Sequence, residues 1–88
     1  MQDHSHYAIA RRLKRANGHL ETIIEMIEQN RPCAQIAQQL QAVESAIESA
    51  KKALIHDHIS QSLEKSLKAS GSKAHAALRD FRLIAKYL

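Results

Sequence analysis

Cys33 and His58 are the two residues whose types and spacing could together hold a ligand. A thiolate with imidazoles suits cobalt, nickel, zinc or copper(I), and not calcium or magnesium. The pair is 25 positions apart; at about 100° per residue that returns to nearly the same helix face, but about 37 Å further along the axis. One chain therefore cannot bring both to one ion, whereas two copies of such a helix packed antiparallel could. The same spacing also fits a buried free thiol and a satisfied interface histidine. His4 and His6 are further imidazoles on what reads as a flexible N-terminal arm. One of them closing over Cys33 and His58 is the simpler arrangement. His56 points away from His58, His19 lies far from the cluster, and Asp57, Ser62, Glu64 and His75 read as polar surface. Cys33 is equally a candidate reactive thiol.

A second group could bind a polyanion. Arg11, Lys14 and Arg15 share one helix face at i, i+3 and i+4, with Arg12 offset from it. A run of charge is also what a solvated helix face looks like. Lys51 and Lys52 add positive charge further along, and the whole chain carries +4 from 13 Lys and Arg against 9 Asp and Glu. With two tyrosines, one phenylalanine and no tryptophan, stacking on single strands is disfavoured, and duplex binding through phosphate contacts stays open. No helix-turn-helix spacing is present, so a basic surface on an oligomer would have to make the phosphate contacts. No nucleophile triad, paired carboxylates or glycine-rich phosphate loop marks an enzyme. The single cysteine excludes an internal disulfide and a multi-cysteine zinc or iron–sulfur site. With no secretory signal and no apolar 18-mer, the expected setting is the reducing cytoplasm, away from membranes.

Three helices must position these groups. Ile9, Leu13, Ala16, Leu20, Ile23 or Ile24, and Ile27 recur at helical steps, predicting a first helix over about 6–29. Gly18 inside it suggests close packing or a bend. Asn30-Arg31-Pro32 forms the turn, with Pro32 at or near the first position of the next helix. Ile36, Leu40, Val43, Ile47, Ala50 and Leu54 alternate by four and three residues, a coiled-coil-like seam. Ile59, Leu63 and Leu67 extend it, giving a second helix over about 33–69. Residues 69–72 end it, and a third helix follows over about 73–88, with Ala77, Leu78, Phe81 and Ile84 on its apolar face. The expectation is one all-α domain, 1–88, whose long second helix must find other chains, in a helical-bundle dimer or larger assembly.

The stretch RRLKRANGHLETIIEMIEQNRPCAQIAQQLQAVESAIESAKKALIHDHI resembles the family of copper-, nickel/cobalt- and formaldehyde-responsive transcriptional repressors. Its most specific parts are the cysteine heading the second helix, the A-x-I-A-Q-Q-L-x-A-V run, and the histidine 25 residues later. The resemblance implies three-helix chains assembling into antiparallel four-helix-bundle dimers and a flat tetramer, released from operator DNA by an effector. It carries metal ligation to Cys33, His58 and His4 or His6, and phosphate contact to Arg12 and Arg15, with Lys14 and Arg11 close by. Ser62 stands where the metal sensors have a further cysteine or histidine, and Gly18-His19 where the family often has Gly-Gln. Serine is a poor ligand for a soft metal, which speaks against a copper(I) site of the family's cysteine–histidine–cysteine kind; on the surroundings of His4-Ser5-His6 and Lys51–His58 the nickel/cobalt branch is favoured, with cobalt or nickel ahead of zinc. The alternatives are a formaldehyde- or thiol-reactive-species sensor using Cys33, and a structural helical oligomer without DNA binding.

Overall fold

The computed structural model describes residues 4–67 and 71–88. It is all-α, with α1 over His4–Glu28, α2 over Cys33–Leu67 and α3 over Ser72–Ala85. Two compact units divide the chain, Met1–Lys51 and Lys52–Leu88. The expected end of the second helix, at Ala69 and Ser70, lies outside the described residues.

The first unit is an antiparallel hairpin of α1 and the first half of α2. Its core repeats every seven residues: Ile9, Ala16 and Ile23 from α1 meet Val43 and Ala50 from α2, all buried. Ile23 is the deepest, at 1 % exposure. The sequence pattern reads as one broad seam, but the structure separates it into two. Leu13, Leu20 and Ile27 repeat at heptad spacing on α1, as do Leu40 and Ile47 on α2 with Leu54 next along the helix in the second unit, and all stay exposed at 38–53 %.

The turn between the helices is set by Asn30, which holds φ at 58°. The Asn30 N–H donates to the Ile27 carbonyl and the Arg31 N–H to that of Met26, both at 3.0 Å. Those two bonds are the Schellman arrangement, which satisfies the last carbonyls of α1 and tolerates asparagine in the left-handed position. Pro32 follows directly, and its carbonyl accepts from Gln35 and Ile36 at 3.0 and 3.2 Å. It therefore caps α2 one position before Cys33. Gly18 does not serve close packing within the chain, because nothing stands within 4 Å of a Cβ built there.

In the second unit the end of α2 packs on α3. Gly71, at φ 64°, turns the chain into α3, and its carbonyl accepts from Ala74 and His75 at 3.1 and 3.3 Å. A side chain at that φ is strained, so glycine suits the position. Ile55 is buried here. No helix among the described residues is long and apolar enough to cross a membrane.

Candidate metal and nucleic-acid sites

His58 sits half-exposed on α2, and its Nε2–H donates a hydrogen bond to Oδ2 of Asp80 on α3. The carboxylate accepts the Nε2 proton and so leaves Nδ1 as the ring nitrogen with a lone pair for a metal. A histidine oriented in this way by a carboxylate is the usual preparation of an imidazole ligand. The pair stands at the wall of a cavity of about 290 Å³, otherwise mostly apolar, with Ser62, Leu63, Ala77 and Phe81 among its lining. Ser62 thus shares a wall with His58, one turn further along α2.

Asp80 is the partner of His58 that reading the sequence missed. The signal was there: it lies three positions after Ala77 and four before Ile84, so an acid occupies a place on the apolar stripe of α3. Apolar periodicity directs attention to the hydrophobic residues of a stripe, and the one charged member was passed over.

Cys33 is the first residue of α2 and is a free thiol, exposed in the single chain. It belongs to the first unit and His58 to the second. Among the described residues no three His, Cys, Asp or Glu side chains gather as a metal site within the chain. The extended N-terminal arm is corrected: the chain is helical from His4 onward. His6 is half-buried on that helix, and His4 is its first residue. His56 and His75 are exposed.

The basic residues of α1 group differently from the expected face. Arg12 and Arg15 line one cleft of about 410 Å³ together with Ala16, His19 and Ala46. Arg11 instead lies over the ring of Tyr7, 5.9 Å from its centroid. All four basic side chains, Arg11, Arg12, Lys14 and Arg15, are exposed. Lys51 is paired with Glu48 at 3.4 Å. His19, which the sequence places far from any cluster, is half-buried beside Arg12 and Arg15, and its Nε2 is 2.6 Å from Oε1 of Gln39. The reason is the hairpin: α2 folds back so that Gln39 and Ala46 come opposite this face of α1.

Comparison with known proteins shows what kind of molecule carries these sites. Residues 5–85 match the family model described as metal-sensitive transcriptional repressor. The chain belongs to that family, a family of regulators and not of enzymes. The copper-sensing transcriptional repressor CsoR of Mycobacterium ulcerans (strain Agy99) is 42 % identical over 52 residues, 59 % of this chain and 44 % of that protein. CsoR of Mycobacterium tuberculosis (strain ATCC 25618 / H37Rv) is 36 % identical over a stretch of the same length. The copper-sensing repressor RicR of the same strain is 31 % identical over 71 residues, 81 % of this chain and 74 % of that protein. The chain spans about 44 % of the length of the CsoR relatives it matches. No solved structure gives a significant match.

These findings overturn four expectations. Nearness to the nickel/cobalt or formaldehyde-sensing branch is contradicted, because the matching relatives are named copper-sensing repressors. The cobalt or nickel effector and the formaldehyde alternative fall with it. Membership of a repressor family likewise removes the purely structural oligomer. The physical fault was to give Ser62 too much weight. A missing donor lowers the coordination number, which copper(I) tolerates, while thiolate and imidazole donors suit copper(I) as well as they suit cobalt or nickel.

Proposed function

We propose that the protein is a DNA-binding transcriptional repressor that releases its operator on binding copper, with Cys33 and His58 from two different chains as the ligands. The observation that carries the reading is His58 held by Asp80 with Nδ1 left for a metal, in a family whose matching relatives sense copper. Cys33 supplies the thiolate, and a soft ion prefers that donor. His4 or His6 of α1 is the candidate third ligand. The exposed stripe of Leu40, Ile47 and Leu54 supports antiparallel pairing of two α2 helices, which would set Cys33 of one chain beside His58 of the other. That pairing gives a dimer, and the tetramer expected of the family joins two such dimers through a second interface. Arg12 and Arg15, flanked by Lys14 and Arg11, are the phosphate contacts to duplex DNA.

The coupling follows from position. Cys33 is joined to α1 by the four residues 29–32, and α1 carries the basic cleft. An ion tying Cys33 to a neighbouring subunit fixes the head of α2, and with it the placement of α1 against DNA. Copper binding and DNA binding are then linked negatively, and the linkage is reciprocal.

X-ray absorption at the copper edge of the copper(I)-loaded protein tests the ligand set. The expected spectrum contains one sulfur and at least one imidazole per copper, with the sulfur lost in Cys33→Ala. Copper held by nitrogen and oxygen alone in the unaltered protein would contradict it.

A further inference from the structure

We propose that His19 forms, with Arg12 and Arg15, a three-cation phosphate site whose third member depends on a proton, so that duplex binding strengthens as pH falls. The inference rests on the reading of Arg12 and Arg15 as DNA contacts and extends it to a residue no comparison assigns. All three side chains line one cleft in the first unit, and its remaining lining, Ala16 and Ala46, is uncharged. Arg15 and Arg12 lie one and two turns before His19 on α1. Across from it on α2, Gln39 and Ala46 carry no charge, so cations alone make up the charged walls.

The hydrogen bond to Gln39 decides which nitrogen changes. Oε1 of an amide accepts only, so Nε2 keeps its proton in both charge states of the ring. Neutral His19 therefore has a lone pair at Nδ1, which a phosphate oxygen repels. Protonation converts Nδ1 into a charged donor, and a phosphate in the cleft offsets the repulsion from the two guanidiniums. Phosphate and proton then favour each other, and by linkage DNA binding takes up protons. The sign is fixed: the contact is present with the ring charged and lost with the ring neutral. Gln39 meanwhile holds the ring in place, so little ordering is needed when DNA arrives.

The test uses the metal-free, reduced full chain and a fluorescent duplex of arbitrary sequence, about 30 base pairs long, read by anisotropy at fixed salt. Affinity should rise at least about fivefold from pH 8 to pH 6, with the slope of log affinity against log salt steepening by about 0.9 for each chain engaged. His19→Gln retains an amide that can bond Gln39 but cannot charge; it should abolish most of the pH response. His75→Gln, at an exposed histidine of α3, should keep it. An equal pH response in His19→Gln and the unaltered protein overturns the inference and leaves the DNA reading intact. No duplex binding by the unaltered protein at either pH overturns both. Should His19→Gln fail to fold by circular dichroism, the salt slopes of the unaltered protein decide: a steeper slope at pH 6 supports the site, and equal slopes refute it.

Discussion

Two histidines with different partners carry most of the chemistry proposed for this chain. His58 is held by a carboxylate and His19 by an amide, and in each case Nε2 is the engaged atom. The partner determines the use: a carboxylate raises the basicity of a metal ligand, while a neutral amide fixes a tautomer without supplying charge. Asp80→Asn should weaken copper(I) binding by about 10- to 100-fold, measured by competition with a chromophoric chelator. Duplex affinity of the metal-free variant should stay within twofold or so of the unaltered protein, since Asp80 lies in the other unit from the basic cleft. Unchanged copper affinity would mean that Asp80 has no part in the site. Cys33 and His58 are candidates from residue type and spacing, and Arg12 and Arg15 from the family resemblance. Asp80 shows in the sequence only as an acid on the apolar stripe of α3, and His19 not at all, because each meets its partner across a hairpin, between residues 22 and 20 positions apart. The effector was misread for a different reason: one hydroxyl at Ser62 was taken to decide among metals that share the same donors.

At the level of the elements, the three helices and the turn chemistry were legible because local signals and apolar periodicity agree. Asn30 and Pro32 mark the first turn and Gly71 the second. What periodicity left ambiguous was the division of labour on α1 and α2, where a buried stripe and an exposed stripe run side by side. A pattern of threes and fours fits both, and only the register of the hairpin selects Ile9, Ala16, Ile23, Val43 and Ala50 for the interior. The turn is itself testable. Asn30 tolerates its positive φ, glycine adopts it without cost, and a β-branched residue resists it. Asn30→Gly should leave stability unchanged or slightly raised in urea denaturation, whereas Asn30→Val should lower it by about 1–2 kcal/mol. Equal stability of the two variants would show that the left-handed residue does not set this connection.

For the whole molecule, the exposed stripe is the feature that the isolated chain leaves open. Leu13, Leu20, Ile27, Leu40, Ile47 and Leu54 are each at least 38 % exposed, at the spacing of a coiled-coil face. A patch of this regularity is what an interface between chains uses. Pairing through it would place a thiol at one end of α2 beside a neighbour's histidine, a meeting that one chain cannot supply. Ile47→Glu, at the middle of the stripe on α2, should therefore reduce the sedimenting mass to that of a single chain and abolish copper binding by Cys33 and His58 together. Full copper affinity in a monomeric variant would exclude the site between chains. The most direct test of the account is release from DNA. The reduced, metal-free protein is bound to a fluorescent duplex taken from upstream of its own gene, then titrated with copper(I). Affinity should fall by at least about tenfold, a coupling of about 1.4 kcal/mol, and Cys33→Ala should bind DNA but ignore the metal. Tight binding that copper leaves unchanged, or full release of Cys33→Ala, would contradict it.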